Sequence, residues 1–198
     1  MAALTRELEL LESAAGYALA STAMVTRYLL SRPTPCSAWD LAMLLGHLAD
    51  SAGVLDEAIS CGRIGIRGAA AGSDPALRVQ ERLVALLAAT AAAGTADRPV
   101  AIGDRELTPG MAALTGALEL TVHGWDIAAA CGRARPVPPG LAAVLLATAP
   151  LLVPAGIRPG LFADPVPLPC PACPGDELVA FLGRRPPRGD SGMSSWSA

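Results

Sequence analysis

The sequence predicts an all-α protein: a four-helix bundle with a proline-rich C-terminal arm and a short final helix. Apolar residues make up 52% of the chain and aromatics only 4%, so the core has to be built from Leu, Ala and Val. Ala and Leu are strong helix formers, and strand-favouring residues are sparse. Four segments carry apolar residues at helical spacing between recognisable start and stop signals, and most of the 18 prolines lie beyond residue 133.

From Leu4 to Leu30 the residues Leu4, Leu8, Leu11, Ala15, Ala18, Val25 and Leu29 recur at steps of about three and four, which predicts a long amphipathic helix ended by Pro33. In Ser37-Ala38-Trp39-Asp40, the Ser37 hydroxyl and the Asp40 carboxylate can form a reciprocal capping box opening a second helix that runs to about Cys61. Asp74-Pro75 supplies an N-cap and a proline in the first helical position. The third helix lasts to about Ala93 and stops at Gly94. The stretch Arg98 to Leu107 has a brief β-like pattern, read as an extended loop. Thr108-Pro109 then opens a fourth helix to about Ala130, with Gly132 as its C-cap. Beyond it the prolines divide the chain into a helix at about 139–149, an extended arm and a short helix at 175–183. The expected organisation is one domain, 1–185, with 133–185 as a C-terminal wrap and a disordered tail over 186–198.

Composition removes several classes of function. The net charge of −3 and pI near 5.3 provide no positive field for phosphate backbones, so nucleic acid is not an expected partner. All 15 basic residues are arginine, which excludes a lysine Schiff base or lysine general base. The opening MAALTRELELLES lacks the layout of a signal peptide. The longest apolar run, Leu141 to Val153, is too short to span a bilayer and contains Pro150. A cytoplasmic protein with mainly reduced cysteines is expected. Its partners would be small molecules, and the apolar surplus also allows a homodimer.

The fourth helix carries the chemistry. Between Gly110 and Ala130 it has no basic side chain apart from histidine and is apolar on nearly every face, as a buried helix is. Its exceptions, Thr115, Glu119, His123 and Asp126, are spaced by four, four and three and so form one stripe. A buried carboxylate needs a cation or hydrogen-bond donors, and a metal ion would satisfy Glu119 and His123 together. His47 lies among Leu44, Leu48, Ser51 and Val54 on the expected core side of the second helix and offers a third ligand. A His/His/Glu set leaves coordination positions open, as catalytic zinc sites do, and also accepts nickel, iron or manganese. Spacing alone equally allows a hydrogen-bonded core histidine and a plain Glu/His salt link.

Two stretches carry a family resemblance: Thr34-Pro35-Cys36-Ser37-Ala38-Trp39 running on to Leu44-Leu45-Gly46-His47-Leu48, and Glu119-Leu120-Thr121-Val122-His123-Gly124-Trp125-Asp126. They resemble the DinB-like family, in its mycothiol-dependent maleylpyruvate isomerase-like actinobacterial branch. The closing segment, Phe162 to Pro167 followed by Asp176 to Gly183, is similar to that branch's final arm and helix. The resemblance implies a four-helix bundle holding a divalent metal, usually zinc, through His47, Glu119 and His123. The chain departs from the family pattern at Ala38 and Met43, where the family often has acids. Where the isomerase carries a separate C-terminal domain, this sequence shows a proline-rich arm and a short helix, so maleylpyruvate isomerisation itself is not the expected reaction.

Three functions compete. The leading one is a metal-dependent transferase or isomerase in which the ion activates a low-molecular-weight thiol such as mycothiol, with Asp126 either an acceptor orienting a ligand imidazole or a capping or salt-link residue. The second is a metal-dependent lyase, hydrolase or cyclase acting without a thiol. The third is a non-catalytic, metal-stabilised small-ligand binding protein. Cys170-Pro171-Ala172-Cys173 forms a CxxC ahead of a proline-started helix, whereas Cys36, Cys61 and Cys131 read as small buried or helix-end residues. Arg78 and Arg82 share a helix face that could clasp an anion, and Trp39 and Trp125, each close in sequence to a ligand helix segment, could line a pocket near the metal but are read first as core residues.

Overall fold

Four helices form the bundle: α1 (Ala2–Thr22), α2 (Leu41–Cys61), α3 (Pro75–Ala92) and α4 (Pro109–Ala130). Two more, α5 (Pro139–Leu152) and α6 (Pro174–Phe181), follow on the C-terminal side. The computed structural model describes residues 2–36, 39–65, 74–93, 99–102 and 105–187. Helix α4 packs along α1 and α2, α3 closes the bundle against both of these, and α6 packs on α5. Leu11, Leu44, Leu45, Leu48, Leu83, Leu86, Leu120 and Ile127 are fully buried between them. Each contributes roughly 1.5–3 kcal/mol of hydrophobic stabilisation, so the Leu/Ala core expected from composition holds the fold.

The start signals act as expected at two helices. The Asp74 carboxylate accepts from the Ala76 N–H at 2.9 Å, and the Thr108 hydroxyl accepts from the Met111 N–H at 3.2 Å. At the end of α4 the Gly132 N–H reaches the Ala129 carbonyl and the Arg133 N–H the Ala128 carbonyl, both at 2.9 Å. This is the paired closing turn of a Schellman motif. Helix α2 opens differently from the expected box. Asp40 is itself the N-cap, its carboxylate accepting from the Met43 N–H at 2.8 Å, while the Ser37 half of the box lies outside the described residues. The Gly94 stop and most of the tail also lie outside them.

Four boundaries differ from the sequence expectation. Helix α1 ends at Thr22 rather than near Leu30, where the Thr22 hydroxyl donates to the Ala18 carbonyl at 2.9 Å and the backbone tightens into i−3 bonds. A short 3-10 turn, Arg27–Leu29, follows and still packs Leu29 on the core, as Val25 before it does. The apolar spacing therefore outlasts the helix. The expected loop over 98–107 contains two strands: β2 (Val100–Ile102) pairs antiparallel with β3 (Arg105–Leu107), and β1 (Arg63–Ile64) adds in parallel. Helix α5 continues past 149 to Leu152, with Pro150 in its last turns, and α6 begins at Pro174 and ends at Phe181. Among the described residues no helix is long and apolar enough to cross a membrane.

Helices α1 and α4 meet at Gly124. A Cβ there would lie 3.0 Å from the Tyr17 ring and 3.1 Å from the Ala18 Cα, so only glycine lets the two backbones approach this closely. Gly124→Val should lower stability by about 1–3 kcal/mol through overpacking. The measurement is the urea midpoint: a clear fall with an unchanged slope is expected, and an unshifted midpoint would show that the helices do not meet there.

Candidate metal centre

The stripe on α4 runs from the surface inwards. Thr115 is exposed, Glu119 is half-buried, and His123 and Asp126 are buried. Helix α2 presents His47 and Ser51 to it. His47 Nε2 lies 2.5 Å from Glu119 Oε1, His123 Nε2 lies 3.4 Å from the same oxygen, and the Ser51 hydroxyl donates to it at 3.4 Å. One atom from each of His47, Glu119 and His123 falls within 4.8 Å of the others. Ligands about 2.1 Å from one tetrahedral ion are roughly 3.4 Å apart, so His123 and Glu119 already fit and His47 would withdraw by about 1 Å. The three residues picked from the sequence are thus brought together with a donor set suited to a divalent ion.

Asp126 holds the far side of the His123 ring, accepting from Nδ1 at 3.0 Å. That bond leaves Nε2 turned toward Glu119 and His47, the arrangement in which an acceptor behind an imidazole fixes its tautomer and plane. Asp126 is fully buried and is held in turn by Arg184, whose Nη2 and Nε donate to its two oxygens at 2.8 and 3.2 Å. The sequence reading found Asp126 but missed Arg184, because an arginine beyond a short helix looks the same on a chain whether it is buried or solvated.

The charges reinforce one another. Burial opposes a charge on His123, but hydrogen bonds to Asp126 and Glu119 and their negative charge outweigh it, and its pKa is pushed up to about 9. Burial likewise favours the neutral acids, yet bonds from both histidines hold Glu119 well below the usual carboxylate range. Bonds from His123 and Arg184 do the same for Asp126.

The cluster opens to solvent on one side. The His47 side chain is 35% exposed and that of Glu119 27%, against 7% for His123. Trp39 walls this opening, its ring centroid 4.5 Å from that of His47 and 5.9 Å from that of His123. The segment before α2 sets it there: the Thr34 hydroxyl donates to the Trp39 carbonyl at 2.8 Å, and the Trp39 N–H donates to the Cys36 carbonyl at 2.9 Å. Trp39 is therefore part of the site, whereas Trp125 is a core residue as expected.

Other expectations resolve away from the cluster. Val54 turns outward rather than facing the core with His47. Arg78 and Arg82 lie over the bare backbone at Gly46 and Gly53 and pack α3 on α2. Cys61, Cys170 and Cys173 are exposed, and Cys36 and Cys131 are half-buried. The Cys173 sulfur accepts from the Asp176 N–H at 3.4 Å and caps α6.

The fold and the site thus describe a helical bundle with a His/Glu/His cluster between its second and fourth helices. The chain belongs to the mycothiol maleylpyruvate isomerase N-terminal domain family, whose model matches residues 11–128. Two uncharacterized proteins from two strains of Mycobacterium tuberculosis are each 33% identical over 167 residues, covering 78% of this chain and 85% of the relative. No solved structure matches it.

In metal-free protein the cluster should make stability depend on pH. The His123 value near 9 lies above its ordinary 6.5, so its contribution is complete below about 6.5 and is lost as pH rises through about 9. Glu119 and Asp126 act oppositely: their contribution is present above the ordinary carboxylate range and is lost as pH falls through their depressed values. Urea midpoints measured in chelator should fall on the alkaline side, and His123→Gln should flatten that limb. A wild-type midpoint constant from pH 6.5 to 9 would contradict the assigned charge state.

Proposed function

We propose that His47, Glu119 and His123 hold one divalent metal ion, zinc foremost, in a cytoplasmic enzyme of the thiol-dependent transferase or isomerase class. Its substrate is a small molecule and its thiol is of the mycothiol type. The carrying observation is the convergence of two imidazole nitrogens and one carboxylate oxygen beside a solvent opening at His47. Membership of a family described by a mycothiol-dependent isomerase supports the choice of thiol. A bound divalent ion supplies charge that keeps a thiol sulfur as thiolate, the nucleophilic form, near neutral pH.

The chain's own residues set the conditions for that chemistry. Asp126 keeps the Nδ1 proton of His123 in place and so aims its Nε2 into the cluster. The Trp39 ring packs at a tilt against both imidazoles, taking up space beside the cluster while leaving the His47 side open. Among the described residues nothing basic other than the histidines contacts Glu119 directly, so its charge remains available to a cation.

Metal content by mass spectrometry should be about one ion per chain in the wild type and far less in His47→Ala, Glu119→Gln and His123→Ala. Cobalt-substituted protein titrated with a low-molecular-weight thiol should then gain a sulfur-to-cobalt absorption band. A wild type that is folded but takes up no added zinc would overturn the metal site. An occupied site whose cobalt spectrum ignores thiols would favour metal-bound water and a lyase or hydrolase.

A further inference from the structure

Residues 11–128 account for the family match, yet one side chain at the centre comes from well beyond them. We propose that Arg184 is a positioning residue for the metal centre, acting through Asp126 to hold His123 in its ligating orientation. The role rests on the metal-site reading above.

Local geometry puts the arginine there. Helix α6 closes with the Gly183 N–H on the Ala180 carbonyl at 3.0 Å and the Arg184 N–H on the Val179 carbonyl at 2.9 Å, a Schellman turn with Arg184 as its final residue. Gly183 takes a φ of 85°, and a Cβ on it would lie 2.8 Å from Ala163. The turn therefore requires glycine both for its conformation and for its closeness to the arm, and it aims the next side chain inward. The guanidinium is then pinned from three directions: two donors on Asp126, and Nη1 on the Leu182 carbonyl at 2.8 Å. Its side chain is 6% exposed and that of Asp126 0%.

The position matters because a buried carboxylate cannot serve as a fixed acceptor by itself. Without the two guanidinium donors nothing fixes the plane of the carboxylate, and the acceptor that holds the His123 ring is free to turn. The planar fork of the guanidinium engages both Asp126 oxygens at once and sets the plane of the carboxylate, which sets the direction of the bond to His123 Nδ1. Supporting bonds of this kind behind a metal-binding histidine are typically worth about 10–100-fold in metal affinity.

A second arginine provides the control. Arg158 also ties α6 to the arm, donating from Nη2 to the Ala163 and Phe181 carbonyls at 2.7 Å each, but it has no bond to Asp126. Zinc affinity by competition with a chromophoric chelator, and the visible spectrum of cobalt-substituted protein, should be compared in wild type, Arg184→Met, Arg184→Lys and Arg158→Met. Arg184→Met should bind zinc about 10–100-fold more weakly with an altered cobalt spectrum. Arg184→Lys, which keeps the cation and loses the fork, should fall in between and also informs if the Met variant does not fold. Arg158→Met should lose stability while keeping wild-type affinity and spectrum. Wild-type affinity in both Arg184 variants, or an equal loss in Arg158→Met, would reduce Arg184 to a helix staple. A wild type that binds neither ion overturns the metal site itself, and this role with it.

Discussion

Helix α4 places a carboxylate, an imidazole and a second carboxylate on one stripe of an otherwise apolar, buried surface, and much of the surrounding structure answers the cost of that choice. A half-buried acid, a buried acid and a buried histidine would each have to neutralise or find partners. They find them in one another and in two residues from elsewhere, His47 from α2 and Arg184 from beyond α6. Acids and bases alternate along the row: His47 against Glu119, Glu119 against His123, His123 against Asp126, and Asp126 against Arg184. Each acid has a basic partner on either side, so both are held as carboxylates beside a Leu/Ala core.

The packing that carries this row depends on small residues. Gly124 lets α4 approach α1, and Gly116 meets Leu55 and Leu11 in the same manner, so the stripe is pressed against its partners without side chains to spare. With so few aromatics, shape complementarity between helices comes from missing side chains as much as from large ones. Trp39, which packs on both histidines, is held by hydrogen bonds to Thr34 and Cys36 before α2 begins.

A good deal of this was legible in the chain. Helix starts at Asp74 and Thr108 and the stop at Gly132 were readable because capping is local chemistry, decided within a few residues. The early end of α1 was not, since Val25 and Leu29 keep the helical spacing after the helix has finished and periodicity reports burial rather than hydrogen bonding. The β1-β2-β3 sheet was missed for a different reason: strands of two or three residues carry too little pattern, and Arg63–Ile64 pairs with a segment far along the chain. Glu119, His123 and Asp126 could be placed together because they share a helix. His47 joined them through the expectation that α2 and α4 face each other and through family resemblance.

The sequence by itself determined the class of fold, the helix on which the chemistry sits and the residue types facing one another along it, because each of these follows from short-range periodicity and capping. Tertiary structure alone decided that Trp39 walls the site, that Val54 faces away from it, and that Arg184 completes the charge row. Trp39 reaches His123 across 84 positions and Arg184 reaches Asp126 across 58. Nothing in local propensity distinguishes a buried arginine from a solvated one. Only the closing turn at Gly183 and the packing of α6 on α5 bring that guanidinium to Asp126.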